Sequence, residues 1–470
     1  MKHFALVLAL LFASVHATLE NVFVKRVIDV SSSVPVSKTT ITMKNTGEQP
    51  APYFYLAFKC TDAKELADVW VTEKKQSTKR LQALDIEMSS DVPGLDSFCR
   101  GYKVSFPEPL APEAEITVEV RADGSGMLNP APSEIKGLSP QYMRYEGSSY
   151  FYSPYSTKSM RTVLVLQSTD VTSKKGFIDP FKHSKKRIEM GPYTDVAPFS
   201  YNQVSVRFKN DRGFLVARLA EKYFYVSHWG TITVREEYQV TNAAARHEGE
   251  WSRVDHSSSY TAGYGTALSD VWANLPADAH NVDYRDLIGN ITSSRLRGAS
   301  KEQRPVQLTF RYPMMGGWNN HFWITYDISL KNYLKSTGNE HVVELPIFPS
   351  LNTDLLCQKL RVRVLLPDGA SDERVIDHPS LKFSMERSIE RTTLTVIGRP
   401  TFLLGLERVR SKSKHFAVIQ VRYKYNEALV WITPLFLGGV VLLLFVSFLA
   451  CVRNGMSGEN EAEKEKLKSS

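Results

Sequence analysis

One stretch near the end of this 470-residue chain constrains it more than any other. From Ala428 to Val452 the sequence carries no charge, and Glu427 and Arg453 bracket it. About 25 residues at 1.5 Å each make a helix of roughly 37 Å, enough to cross a hydrocarbon core of about 30 Å with some tilt. Tyr423, Tyr425 and Trp431 fall where the aromatic belt of a membrane interface would lie. Core helices of soluble domains rarely stay uncharged this long, so a transmembrane helix is expected over 428–452. It separates a large N-terminal part from a short tail, 453–470.

The start of the chain sets the expected orientation. Met1-Lys2-His3 forms a basic n-region, and Phe4 to Val15 an apolar segment too short to span. Val15-His16-Ala17 places small residues where a signal peptidase cuts, so 1–17 reads as a signal peptide. Basic residues lie on both sides of the apolar stretch, Arg422 and Lys424 before it, Arg453, Lys464, Lys466 and Lys468 after it. They do not decide the orientation, and the signal peptide does. The expectation is a single-pass type I protein with the bulk of the chain lumenal or extracellular and the tail cytosolic. Asn290-Ile291-Thr292, the one N-x-Ser/Thr sequon, lies in the large part and makes Asn290 a glycosylation candidate.

Four cysteines in a chain of this length do not make a disulfide-built scaffold. Cys451 falls at the cytosolic end of the apolar stretch, as membrane filler or a palmitoylation site. Cys60, Cys99 and Cys357 would meet an oxidising compartment, and three cannot all pair. Cys60 with Cys99 is the favoured pair because both fall in one candidate domain. Closing that loop stabilises by at most about 4 kcal/mol. The net charge of +8 and pI near 9.0 suggest anionic headgroups or acidic neighbours rather than nucleic acid, given a lumenal location. The densest basic cluster, Lys182 to Arg187, reads as a solvated loop.

Periodicity in the large part is mostly two. Ile116, Val118 and Val120 alternate with polar residues, as do Val362 and Val364, and Ile419, Val421, Tyr423 and Tyr425. Asn45-Thr46-Gly47, Asp123-Gly124-Ser125-Gly126 and Pro367-Asp368-Gly369 punctuate these runs as turns. Short helices are expected over Asp62–Lys75 and Tyr284–Ile288. The fold class is mainly β with minor α: two lumenal β-sandwich-like domains, 18–220 and 221–427, followed by a single transmembrane helix. A faint echo supports two copies of one domain type: Val30-Ser31 leads through a strand to Asn45-Thr46, and Val226-Ser227 through another to Thr241-Asn242.

Signatures of chemistry are sparse. There is no G-x-S-x-G elbow, P-loop or C-x-x-C. His247-Glu248 begins like a zinc-protease helix, but a second histidine is missing and Gly249 would weaken the helix. His228, His256, His280 and His321 lack ligand spacing, and Asp283 and Asp286 read as surface or capping groups. No catalytic residue, metal ligand or cofactor site is assigned. Tyr312-Pro313-Met314-Met315-Gly316-Gly317-Trp318 is weighed as a β-corner core ahead of an exposed docking patch.

These strings carry a resemblance. Tyr225-Val226-Ser227-His228-Trp229-Gly230, Glu236-Glu237, Trp251-Ser252-Arg253, Tyr284-Arg285-Asp286-Leu287-Ile288-Gly289-Asn290 and Pro313 to Trp318 occur in an order and spacing that resembles the ribophorin I family. Gly191-Pro192-Tyr193 through Ser200-Tyr201 is similar to that family's stretch before its second domain. The resemblance covers the signal peptide, the large part and the anchor. It implies a non-catalytic, single-span subunit of the oligosaccharyltransferase, which transfers a preassembled oligosaccharide from dolichyl diphosphate to asparagine of nascent chains in the endoplasmic reticulum. The implied partners are the other subunits, including the multi-span catalytic subunit, the nascent polypeptide and the membrane. The catalytic subunit's W-W-D-Y-G string is absent here. The resemblance also matches Asn290 to a glycosylation position of the family.

Animal members extend into a cytosolic helical domain that contacts the ribosome. This tail is short, like the fungal form, which puts ribosome contact in doubt. Lys466 and Lys468, fifth and third from the end, match a dilysine retrieval signal, against the alternative of a solvated charged tail. Inside a multi-span complex, Gly438 and Gly439, with Thr433 and Ser447, would let neighbouring helices approach closely. The alternative functions are a stand-alone lumenal chaperone or cargo receptor and, third, a degenerate lumenal peptidase.

Overall fold

The computed structural model describes residues 19–468 apart from 75–80, 97–98, 125–126, 137–138, 251, 253, 255–264, 353–354, 377–382, 392–396 and 411–417; side chains beyond Arg453 lie outside the description. The expected signal peptide, His256, Trp251 and Arg253 fall outside the described residues.

Alternating sequences become strands with one buried face. In Thr231–Asn242 every second residue is buried, from Ile232 to Asn242. Ile419, Val421, Tyr423 and Tyr425 are all buried, and the residues between them face outward. Period-two patterning therefore settles both the strand and its inner face.

The strands build two tandem units. In the first, an eight-stranded sheet runs in the order Phe181–Ser184, Arg187–Val196, Thr157–Val165, Leu19–Asp29, Val36–Asn45, Glu115–Asp123, Asp68–Lys74, Leu81–Ala83. In the second, a seven-stranded sheet runs Ser384–Glu390, Arg399–Arg410, Leu356–Leu365, Leu215–Ser227, Thr231–Asn242, Asn319–Ser329, His280–Asp286. Each sheet has one parallel pair in the same place. Leu19–Asp29 lies parallel to Thr157–Val165, and Leu215–Ser227 parallel to Leu356–Leu365. Each unit adds a three-stranded and a four-stranded sheet. Setting aside the short strands Leu81–Ala83, Glu134–Lys136 and Arg246–Glu248, every described strand of the first unit has a counterpart in the second, in the same chain order and sheet position. The echo between Val30 and Val226 is thus one visible trace of a repeat in topology.

Buried apolar side chains form two clusters. One contains Val24, Ile28, Phe54, Tyr145 and Phe208 among others, and the other Phe224, Tyr238, Phe322, Val362 and Tyr423. The expected division at Ala220 falls inside the strand Leu215–Ser227, whose Leu215 and Ala217 already belong to the second cluster. Buried polar groups join the units. Gln141 donates to the carbonyls of Asn210 (2.6 Å) and Arg212 (3.1 Å) and accepts from the Ala245 amide (2.6 Å). Arg410 of the second unit pairs with the fully buried Asp123 of the first at 3.3 Å.

Two expected helices are corrected. Only Cys60–Glu65 is helical in the first region. Asp68–Lys74 is a strand, because Val69 and Val71 alternate into the core and β-branched residues suit a pleat. In the second, the strand His280–Asp286 runs straight into a turn. The basic cluster Lys182–Arg187 is largely solvent-exposed, as expected, but forms a hairpin: Lys182, His183 and Ser184 lie in one strand, Arg187 opens the next, and Lys185-Lys186 make the turn. At Gly316 a Cβ would stand 1.8 Å from the Ala245 carbonyl oxygen, while Met314 and Met315 are buried, so this string turns a packed corner.

After the last strand, Val418–Lys424, a short 3-10 turn covers Glu427–Trp431 and a helix runs from Ile432 to Lys468. The Asn426 side chain accepts from the Ala428 amide and caps the turn. Pro434 sits in the first turn of the helix, where its missing donor breaks no helical bond. The segment Glu427–Arg453 is the one described helix long and apolar enough to cross a membrane, and its most apolar 18-residue window is not buried within the chain.

Candidate functional site

One polar constellation in the second unit is a closed knot around Glu236. Its carboxylate accepts from Lys222 Nζ (3.0 Å), Tyr326 OH (2.8 Å), the Ser350 amide (2.9 Å), Ser350 Oγ (2.8 Å) and Tyr238 OH. Lys222 also donates to the Phe348 carbonyl at 2.9 Å. Burial pushes the Glu236 carboxyl up, but Lys222 and the hydrogen bonds outweigh it and hold the carboxyl below its ordinary range. Cys357 lies in the same interior, and burial followed by the Glu236 charge pushes its thiol up to about 12. A carboxylate that is saturated with donors and sealed from solvent has no proton to give and no room for a substrate. The knot ties the sheet to the Phe348–Ser350 segment.

The other recognisable strings fall at the surface. Asp286 ends a strand and folds the next residues over itself, accepting from the amides of Ile288 (3.0 Å) and Gly289 (2.9 Å). Arg311 grips the same carboxylate through two bonds of 2.7 and 2.9 Å. The Arg311 hydrogen bonds hold Asp286 below the usual carboxylate range. Gly289 takes φ +146°, a value that favours glycine. The turn presents Leu287 and Ile288, each 72% exposed, and then Asn290, which is also exposed. Asp283 pairs with Arg285 at 2.6 Å, so Asp283 and Asp286 serve as surface and capping groups.

A third cluster lies where the second unit meets the apolar helix. His228 and Tyr423 share a hydrogen bond of 2.9 Å, and the ring of His341 stands edge-on to that of His228 at 4.9 Å. Burial, and then His341, lower the His228 pKa to about 4. The next residue, Trp229, is 61% exposed and stands edge-on to Trp431, with ring centroids 5.5 Å apart. The lone histidine beside a tryptophan is therefore a packed residue.

The remaining candidates do not gather into one site. Cys60 and Cys99 are joined by a disulfide, which leaves Cys357 as a buried free thiol and Cys451 as an exposed one. Gly438 and Gly439 face outward with nothing of this chain within 4 Å of a built Cβ. Lys466 and Lys468 lie on the helix, and their side chains are outside the described residues. His247-Glu248 is not helical but part of the strand Arg246–Glu248, paired with Glu134–Lys136, with Glu248 in an ion pair to Lys136 at 3.3 Å. Among the described residues the one group with metal-like spacing is Cys60, Asp96 and Cys99, and its two sulfurs are spent on each other. The Glu236 knot is not legible in the sequence. Glu236 and Lys222 sit on adjacent strands in direct register, and only the strand pairing reveals that.

Comparisons with known proteins give the chain relatives over nearly its whole length. Subunit 1B of the dolichyl-diphosphooligosaccharide–protein glycosyltransferase of Arabidopsis thaliana is 32% identical over 440 residues, covering 92% of each chain. Subunit 1A of the same plant is 30% identical over 96% of this chain and 73% of its own. Subunit 1 of Caenorhabditis elegans is 26% identical over 86% of this chain and 68% of its own. Among solved structures, an M1 zinc metallopeptidase from Deinococcus radiodurans overlaps 45% of this chain and 42% of its own at 13% identity, with a TM-score of 0.26, too low to equate the folds. The profile of the family described as Ribophorin I matches residues 19–452, and the chain belongs to that family.

Proposed function

We propose that this chain is a non-catalytic subunit of the dolichyl-diphosphooligosaccharide–protein glycosyltransferase, working in protein N-glycosylation at the endoplasmic reticulum membrane. The observation that carries the reading is the 32% identity to subunit 1B over nearly the whole of both chains. The helix from Ile432 serves as a single anchor, with the two β units on the lumenal side, in line with the apolar segment at the start of the chain. Its partners are the other subunits, the catalytic multi-span subunit included, and nascent polypeptide passing the two β units. Asn290, exposed on a braced turn, carries a glycan. The unit boundaries fall close to residues 211–214, and Lys466 and Lys468 form a retrieval signal.

Tagging the full chain, solubilising the membranes in mild detergent and identifying the proteins that elute with it tests this reading. The catalytic subunit is expected in the eluate in amounts comparable to the tagged chain. Its absence would overturn the proposal and favour a stand-alone chaperone or cargo receptor.

A further inference from the structure

The two units are repeats, so equivalent surfaces can be compared. In each, the turn after the first strand and the turn after the strand parallel to it fall at one end of the large sheet. In the first unit this end carries Ser33, Val34, Pro35 and Gly124, and it abuts the second unit across a cleft of about 380 Å³ whose far side includes Phe214 and Arg218. The equivalent end of the second unit carries the Ser227–Thr231 turn and Pro367-Asp368-Gly369, and the chain leads from there into the apolar helix rather than into a third β unit.

The connection is short and docked. The last strand ends at Lys424 and the 3-10 turn starts at Glu427. The Tyr425 amide donates to the Asn339 carbonyl at 3.0 Å, and Leu429 and Val430 pack against the second core. A Cβ on Gly369 would meet Leu429 at 3.0 Å and Ile397 at 3.1 Å, so these three residues share one surface. Trp431 at the foot of the helix is 58% exposed and touches Trp229, 61% exposed, while Ile397 is 46% exposed. The Trp229 turn is held in place: the Gly230 amide donates to the Ser227 carbonyl at 3.3 Å and the Leu330 amide to the Gly230 carbonyl at 3.0 Å.

We infer that this end of the second unit rests on the bilayer, with Trp229 inserted at headgroup depth beside Trp431 and Ile397 beside them. The occupant is a lipid surface, because the patch is continuous with the foot of the helix that enters it. Indole rings, apolar over most of their surface with one N–H donor, suit that depth. The contact gives the unit a second attachment besides the helix. It fixes the tilt of the tandem units relative to the membrane instead of leaving them on a tether. The inference rests on the helix spanning a membrane.

The test uses the full chain reconstituted into phosphatidylcholine vesicles, with lipids brominated either near the headgroup or near the acyl-chain end, and reads tryptophan fluorescence. The chain has seven tryptophans, and Trp229 and Trp431 are the two placed at lipid depth. Quenching by shallow bromines should exceed quenching by deep ones. Trp229→Phe should remove about half of the shallow quenching, and Trp431→Phe a similar share, because interfacial indoles sit at that depth. If Trp431→Phe lowers quenching and Trp229→Phe does not, the turn does not reach the lipid and the inference is overturned while the anchor stands. If neither lowers it, the anchor reading fails and takes the inference with it. Trp229 is exposed, so its replacement spares the core, and an unchanged near-ultraviolet circular dichroism signal outside the indole bands checks this.

Discussion

Asn45 and Asn242 hold the same position in the two units: each ends the second strand of its large sheet, opposite the first leucine of the first strand, Leu19 and Leu215 respectively. Both are fully buried. Asn45 donates to the carbonyls of Gln49 (2.8 Å) and Leu110 (2.9 Å) and accepts from the Gly47 amide (3.0 Å). Asn242 donates to the carbonyls of Thr266 (2.7 Å) and Met314 (2.9 Å) and accepts from the amides of Phe214 (3.0 Å) and Ala244 (3.1 Å). In both units one amide side chain closes the turn two residues on and ties it to a distant strand end.

Removing either amide strands buried backbone groups. Asn45→Ala should destabilise its unit by about 2 kcal/mol and Asn242→Ala by about 3 kcal/mol, because the second serves four partners and lies at the junction. Denaturant unfolding of the solubilised full chain, followed by tryptophan emission, measures this. Midpoints equal to that of wild type would contradict it.

The Glu236 knot should behave as a coupled pair. Glu236→Gln leaves the Lys222 charge buried without a counter-charge, and should cost about 4 kcal/mol. Lys222→Met in the same chain should recover a large part of that loss, since it removes the orphaned charge. A double-mutant cycle on unfolding free energy gives the coupling, and additive losses would show that the two groups act independently.

His228 should make stability depend on pH. Its folded pKa is lowered to about 4 from 6.5, so between these values the unfolded chain binds a proton that the folded chain does not. Its contribution to stability is complete above pH 6.5 and is lost as pH falls toward 4. The groups facing it are His341, Tyr423 and Tyr425. His228→Gln should flatten the fall in melting temperature across this window relative to wild type. Parallel curves for the two proteins would remove His228 as the cause.

Asn290→Gln and Thr292→Ala should each increase electrophoretic mobility by one glycan and match enzymatically deglycosylated wild type. Both positions are exposed, so neither substitution should shift the melting temperature by more than the glycan's own effect. Unchanged mobility of both variants would show the site is unmodified.

Gly438 and Gly439 form a notch on an otherwise bulky helix. Gly438→Leu with Gly439→Leu should preserve membrane insertion and lower recovery of the other subunits with the tagged chain several-fold, because close helix approach needs small residues. Wild-type recovery would reduce the helix to a plain anchor.

Much of the fold is legible in the sequence. The uncharged run from Ala428 needs only length and apolarity to read, and the alternation in Ile419 to Tyr425 states both a strand and its inner face. Family-specific strings such as Tyr284 to Asn290 carry the resemblance. Local patterns mislead where two readings compete over a few residues. Asp62 to Lys75 suits a helix by composition, but Val69 and Val71 have a core to fill, and Asp68–Lys74 pairs near one edge of the large sheet.

The sequence by itself determined the β class, the apolar anchor and the family, because hydrophobic periodicity and uncharged length are written residue by residue. Only the tertiary structure decided which distant groups meet. Lys222 faces Glu236, Asn242 reaches Met314 and Trp229 reaches Trp431 through strand register and chain reversal. Those contacts depend on the global pairing of strands, and no local pattern encodes that pairing. The same holds for the repeat. Two units share one strand order although their sequences differ, because burial asks for apolar side chains at alternate positions and leaves their identities free.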